Sequence, residues 1–464
     1  MLRCRLPRAA LLLVFPLLIH AQAPSPTQPV LVTIQGTVNG PENKPLAGAR
    51  VAIRTPGFDS EVLADTATDV NGEFALLAIP LSVGRYVVDA SGIGFDPDQR
   101  PFTVSAEQPA NLTFTLSLKP QAKARGAALP YTVVRVFYAT QRQSVTNKAS
   151  VQYIGIRSHD NSMSYGACDV SIPKSHKIAE VEQPSIWRLE FHADPEKHII
   201  LQKITPESKD SFFTQVSSAV GASPTKEAFV FVHGYNVSFE DAAIRTAQLT
   251  YDFGFKGAPI FYDWPSKASL LGYVADESAA DGTVPDLKLF LQDVASRSGA
   301  SIIHLIAHSM GNRALLPALA DLAGNKDFTG FAKFSTVVFA APDVDRDAFI
   351  KWIGDIHKPQ TNISLYVSQH DQALAASHLL FHKELRAGEG GKDAIVLNGM
   401  DTIDVSDLST DALGHSYFGD NSQVVSDLLE FLKGQLAPRP DLSRVPLGTL
   451  AYWELLAATK SASK

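Results

Sequence analysis

Between Val30 and Leu118 apolar and polar residues alternate in short runs: "VLVTIQGTV", "GARVAIRT", "GEFALLAI", "GRYVVDAS" and "NLTFTLSL". Turn-forming clusters such as "NGPENKPLAG" and "DVNG" separate them, and no helical period appears. Alternation of period two between turn signals predicts a small antiparallel β-sandwich. From Tyr131 the pattern changes. "YTVVRVFYAT", "AFVFVHGYN", "PIFYDWPS", "SIIHLIAHSMG", "STVVFAAPDVD", "NISLYVSQHD" and "DTIDVSDL" are near-continuous apolar runs, as expected of strands buried on both faces. Amphipathic stretches lie between them, among them "SFEDAAIRTAQLTYDFG", with Ser238 as its N-cap, and "DLKLFLQDVASRSG", stopped by Gly299. Strand and helix in alternation predict an α/β domain: a mostly parallel sheet with helices on both faces. The tail after Leu436 predicts one short helix followed by a frayed end.

The chain of 464 residues divides on this pattern into a leader (1–23), a proline-rich linker (24–29), the β-sandwich (30–118), a second linker (119–130), the α/β domain (131–435) and a C-terminal tail (436–464). Arg3, Arg5 and Arg8 precede the apolar run "AALLLVFPLLIHAQA", which is too short to span a bilayer and ends in Ala21 and Ala23 at A-x-A spacing. This is the layout of a secretory signal peptide, so the expected location is periplasmic or extracellular, with no stable membrane insertion after cleavage. Cleavage removes Cys4 and leaves Cys168 alone, which excludes an internal disulfide. Cys168, in the strand-like "YGACDVSIP", reads as a small buried apolar residue. A net charge of −7 with no basic block argues against a nucleic-acid partner held through phosphates.

The candidate chemistry falls at the carboxyl ends of the predicted strands, where sites form in a parallel sheet. Ser309 follows "SIIHLIA" and opens the helix "GNRALLPALADLA". Ala307 and Gly311 flank it in the pattern A-H-S-M-G, one residue from G-x-S-x-G. Small residues on both sides allow the strained strand-to-helix turn that presents a nucleophile, whereas a plain N-cap serine would not need them. A serine needs a general base, and His415, in the loop after "DTIDVSDL", is the one late histidine suitably placed. Asp371, at the end of "ISLYVSQHD", is the favoured acid, with Asp343 and Asp345 of "AAPDVD" as alternatives that also suit helix capping. The amides of Met310 and Tyr235 are the expected oxyanion donors, and His233 is expected to hold the "HGYN" loop through its backbone. Asp263 and Trp264 in "FYDWPS" are expected to shape the site wall, Trp264 against the substrate. His378 and His382 have the i, i+4 spacing of two zinc ligands but lack the glutamate of HExxH and a third ligand, so no metal or other cofactor is assigned. The connection between "APDVD" and "NISLYV" holds barely one helix, which predicts a fairly open cleft.

Two resemblances follow from these motifs. "KPLAGARVAI", "ATDVNGEFAL" and "GRYVVDASGIGF" resemble the carboxypeptidase regulatory-like modules, a transthyretin-like sandwich in which Thr68, Asp69, Gly72 and Phe74 form a hairpin turn device. "RVFYATQR", "YGACDVSIP", "FVHGYNVSFEDA", "FYDWPS", "AHSMGNRAL", "APDVD" and "ALGHSYF" resemble a bacterial esterase/lipase-like branch of the α/β-hydrolases. That resemblance implies a serine hydrolase acting on a small-molecule ester, with Ser309 as nucleophile, His415 as base and Asp371 as acid. Amide, thioester and peptide hydrolysis use the same groups and stay open. So does a surface binding or scaffolding role in which the hydrolase domain is vestigial. The sequence leaves the oligomeric state open.

Overall fold

The computed structural model describes residues 30–46, 48–55, 62–69, 71–92, 95–105, 111–120, 129–146, 151–182, 194–267, 272–378, 384–408 and 417–457. The proposed leader and the linker 24–29 lie outside the described residues, as does His415.

The N-terminal domain packs two sheets face to face. One is formed by Glu73–Leu81, Val30–Asn39 and Asn111–Ser117, the other by Val62–Ala67, Arg50–Arg54, Gly84–Ser91 and Asp98–Val104. Inward-facing Ile34, Val51, Val88 and Leu116 are fully enclosed, which is what the period-two alternation demands. One detail departs from the antiparallel expectation: Val30–Asn39 and Asn111–Ser117 pair in parallel, because the last strand returns beside the first. At the hairpin, Asp69 Oδ1 accepts from the amides of Asn71 (2.9 Å) and Glu73 (2.8 Å), and Gly72 turns with φ 73°.

The second domain is built on an eleven-stranded sheet. Its strands are β1 (Tyr131–Thr140), β2 (Ser164–Pro173), β3 (Ile200–Glu207), β4 (Glu227–Val232), β5 (Ala258–Asp263), β6 (Ile302–His308), β7 (Phe334–Ala340), β8 (Asn362–Val367), β9 (Met400–Asp404), β10 (Leu442–Leu447) and β11 (Leu450–Leu455). They lie side by side in the order β3-β2-β1-β5-β4-β6-β7-β8-β9-β11-β10. All neighbours from β1 through β5, β4, β6, β7, β8 and β9 to β11 are parallel, and the two edges are closed by antiparallel pairs.

The central strands are largely apolar because both faces are covered. Val230, Val232, Leu305, Ala307, Val337 and Phe339 point to the face packed by helices α1 (Lys209–Ala222), α4 (Val284–Arg297), α5 (Gly311–Gly324) and α6 (Arg346–Ile356). Phe229, Phe231, Ile306, Val338 and Ala340 point to the other, packed by α2 (Phe239–Asp252) and α9 (Ser422–Leu432); α3 (Tyr273–Gly282) precedes α4 in the chain and the short α8 (Tyr417–Asp420) precedes α9. Cys168 is buried in the middle of β2, and burial pushes its thiol well above the ordinary value, so it behaves as an apolar filler. Among the described residues no helix is long and apolar enough to cross a membrane.

The tail corrects the sequence reading. Instead of a helix it forms the hairpin β10–β11, turning at Gly448 with φ 60°, and β11 adds to the sheet beside β9 through Ile403–Trp453 and Asp404–Glu454. Arg439 anchors the entry to it. Its guanidinium donates to Asp427 (2.8 and 3.0 Å) and to Asp401 (2.9 Å) in a buried cluster. Two acids distant in sequence supply the reason, and local pattern does not carry it.

Candidate active site

Ser309 sits where β6 ends and α5 begins, with a φ of 51° that serine rarely adopts. The surrounding backbone holds it there. Its amide donates to Ala340 O at 2.9 Å, and its carbonyl accepts from the amides of Asn312 (3.1 Å) and Asp343 (3.3 Å). The Asn312 side chain braces the turn from within, donating to Ser309 O at 2.9 Å and Ala340 O at 3.2 Å. A conformation that costs on the order of 1–3 kcal/mol persists because so many bonds over-determine it. Asn312 escaped the sequence reading, although its place on the first turn of the helix after the elbow was visible.

Small residues flank Ser309 because the neighbouring backbone comes close. A β-carbon on Gly311 would lie 2.4 Å from His233 O and 2.6 Å from Val232 O, so only glycine fits. Met310 caps α5 with helical φ and ψ, and its amide makes no hydrogen bond among the described residues. The loop after β4 lies against this turn. Asn236 turns it with φ 57°, and Tyr235 packs edge-on against Tyr273, ring centres 5.5 Å apart.

That loop rests on a buried polar brace. His233 has Nδ1 2.9 Å from Gly234 O and Nε2 3.0 Å from Asp263 Oδ1. Asp263 also takes two contacts from Arg142 Nε (2.9 and 2.8 Å) and one from Thr140 Oγ1. Burial alone would raise the Asp263 carboxyl; Arg142, His233 and Thr140 outweigh it and hold it below its ordinary value. Arg142 goes on to Ser266 O (2.8 Å) and Val237 O (2.7 Å), so one guanidinium ties together the ends of three loops.

The loop role expected of His233 is therefore present, and Asp263 turns out to be its partner. Trp264 differs from expectation. It is fully buried, stacks on His233 with ring centres 5.0 Å apart, and donates Nε1–H to His233 O at 2.8 Å. It supports the loop from inside, with no surface turned to a substrate.

The three acids separate clearly. Asp343 is committed to a buried network, accepting from Tyr273 Oη (2.7 Å), Ser377 Oγ (2.8 Å) and Arg386 Nε (2.8 Å). Asp345 caps α6 by accepting from the Ala348 amide at 2.9 Å. Asp371 lies beyond β8 at the start of α7 (Gln372–Ser377), 3 % exposed, with Oδ1 accepting from the Leu374 amide at 3.0 Å.

The chain just after position 415 passes near both Asp371 and the elbow. Burial first, then the carboxylates of Asp371 and Asp404, push the Tyr417 phenol well above its ordinary value. Phe418 stacks on His308, the neighbour of Ser309, with ring centres 4.4 Å apart. Of the two zinc-spaced histidines, His378 pairs with Glu389 at 3.1 Å, and His382 lies outside the described residues. The β7–β8 connection holds the single helix α6, as expected, yet Ser309 keeps only 3 % of its surface, so the site is less open than that short connection suggests.

A doubly covered parallel sheet, a strained serine at a strand-to-helix turn and a glycine loop beside it define an α/β hydrolase domain behind a β-sandwich. Residues 208–431 match the family model described as "Alpha/beta hydrolase of unknown function (DUF900)", and residues 33–117 match that of the "Carboxypeptidase regulatory-like domain". The two matches follow the order of the two folds along the chain. No curated protein matches the chain.

Two solved structures are similar over a fifth of it. Catechol 1,2-dioxygenase from Acinetobacter sp. ADP1, inhibited by bound mercury, is 14% identical over 21% of this chain and 57% of its own, with a TM-score of 0.16. GBS52, the minor pilin of the gram-positive pathogen Streptococcus agalactiae, is 16% identical over 22% of this chain and 50% of its own, also with a TM-score of 0.16. The chain spans 57% and 50% of their lengths, and neither bears on its function.

Proposed function

We propose that this protein is a serine hydrolase that cleaves carboxylic esters of small molecules through an acyl-serine intermediate. The observation that carries the reading is the elbow: a serine held at φ 51° between the end of a buried parallel strand and a helix, with a glycine loop pressed against it. In this reading His415 takes the Ser309 hydroxyl proton while Oγ bonds to the acyl carbon. The same proton then passes to the departing alcohol as its C–O bond breaks. Water, activated by the same imidazole, releases the acid and restores the serine. Asp371 keeps the imidazole in the tautomer that can accept the proton. The amides of Met310 and Tyr235 receive the developing oxyanion, and the helix dipole of α5 adds to their effect.

The nearness of the Asp371 carboxylate to Tyr417, two residues beyond His415, supports its choice over Asp343, which is just as buried and whose oxygens already serve Arg386, Tyr273 and Ser377. Export to the periplasm or beyond belongs to the same proposal and rests on the leader's layout. The deciding experiment is labelling of the mature protein with a fluorophosphonate probe, alongside turnover of short p-nitrophenyl esters. A poised nucleophile is tagged at Ser309 and loses both tag and turnover in Ser309→Ala. Absence of labelling in the wild type, with no ester turned over, would favour a binding module instead.

A further inference from the structure

The sandwich meets the hydrolase domain at the foundations of the loop that carries the Tyr235 amide. We infer that Arg50, on the sandwich, is a positioning residue for the 233–238 loop, so that docking of the N-terminal domain completes the oxyanion site. The catalytic consequence rests on the serine-hydrolase reading above; the mechanical coupling does not.

Arg50 opens the strand Arg50–Arg54 and is 8 % exposed. Its Nε donates to Asp65 within the sandwich at 2.9 Å. The other two nitrogens reach across the domain boundary, Nη1 to 3.7 Å from Glu240 Oε2 and Nη2 to 3.6 Å from Asp241 Oδ2.

Glu240 and Asp241 form the first turn of α2, and Asp241 is half of its capping box. Ser238 Oγ accepts from the Asp241 amide at 3.1 Å, and Asp241 Oδ2 accepts in return from the Ser238 amide at 3.3 Å and from the Ser238 hydroxyl at 2.5 Å. Two adjacent carboxylates in a half-buried turn repel each other, and the Arg50 guanidinium between them offsets that repulsion. With it gone, the acid that fixes Ser238 is left beside an unscreened neighbour.

A second contact points the same way. The sandwich strand Val62–Ala67 packs against Val151–Arg157, which pairs with Arg142–Thr146. That strand opens with Arg142, whose Nη2 holds Val237 O at 2.7 Å. The sandwich therefore touches the helix cap that fixes the exit of the 233–237 loop, and through one intervening strand it backs the strand that carries the guanidinium brace. A loop displaced by a fraction of an ångström misplaces its amide for the transition state more than for the bound ester.

The test uses the full mature chain, with p-nitrophenyl acetate as probe and hydrogen exchange over residues 235–241 as a readout independent of hydrolysis. Arg50→Ala is expected to lower kcat about tenfold, with KM changed by less than about twofold, and to speed exchange at 235–241. Glu240→Gln removes the carboxylate that repels Asp241, so added to Arg50→Ala it is expected to restore part of both readouts, which a sandwich that merely failed to fold would not allow. Arg50→Lys should also recover part of the loss. Wild-type kcat with unchanged exchange over 235–241 in Arg50→Ala, or an Arg50→Ala loss that neither Glu240→Gln nor Arg50→Lys restores, would overturn the inference. Should Ser309→Ala keep full turnover, the hydrolase reading fails on its own, and the exchange measurement still decides the coupling.

Discussion

A β-carbon built on Gly234 would stand 2.8 Å from the Cβ of Ser309 and 3.1 Å from His308 O. The loop after β4 and the elbow after β6 are thus in contact across the sheet edge, with no room for a side chain between them. Gly234→Ala must push the loop off the elbow. It is expected to reduce ester turnover by about two orders of magnitude while lowering stability by about 1–3 kcal/mol, read from steady-state kinetics and a urea titration. An alanine variant with wild-type kcat would show that this contact does not set the oxyanion geometry.

The acids can be told apart by what each loses. Asp371→Asn keeps an oxygen to cap α7 through the Leu374 amide, so folding should change little, while kcat falls by about three to four orders of magnitude because the imidazole loses its preferred tautomer. Asp343→Asn strips the charge opposite buried Arg386 and should destabilise the fold by about 3–5 kcal/mol. Activity of the folded fraction should change far less. The reverse pattern would move the triad acid to Asp343.

The Arg142–Asp263 pair is almost completely enclosed. Removing one partner leaves a buried charge without compensation, so Asp263→Ala is expected to cost about 3–5 kcal/mol in a denaturant titration. Since His233 contacts the same carboxylate, fluorophosphonate labelling of the surviving native protein should also slow. Labelling at the wild-type rate would separate the brace from the site.

Two buried histidines set opposite pH limits. Burial pushes His304 down to about 4 from an ordinary 6.5, so it stays neutral in the fold but takes up a proton on unfolding. Its contribution falls as the pH drops from 6.5 toward about 4. At His176 burial works downward, but Asp252 and Glu182 outweigh it and raise the imidazole to about 9. That contribution is complete below 6.5 and is lost as the pH climbs through about 9. Thermal unfolding across pH should show both flanks. His304→Gln should flatten the acid one and His176→Gln the alkaline one; an unchanged flank in either variant would reject the corresponding assignment.

Much of the fold was legible because its signals are local. The switch from period-two alternation to continuous apolar runs marks where a sheet open on one face gives way to one covered on both. The Ser238 cap, the Gly72 turn and the A-H-S-M-G elbow each depend on a few consecutive residues. The C-terminal hairpin was missed because Pro446 in β10 argues against a strand, and its support comes from Arg439 reaching Asp401 and Asp427. Trp264 was misread for a related reason: an aromatic at a strand end suits a pocket wall or a buried prop equally well.

The sequence alone determined the switch from a β-sandwich to alternating strands and helices, and the serine at the turn, since periodicity and steric demands of single residues are written along the chain. Only the tertiary structure decided which acid is committed elsewhere and what holds the glycine loop. It also decided where the sandwich touches its neighbour. Those outcomes depend on partners brought together from far apart, such as Arg142 and Asp263, 121 residues away from each other. A buried charge takes whichever partner the packed sheet delivers, and spacing along the chain does not encode that choice.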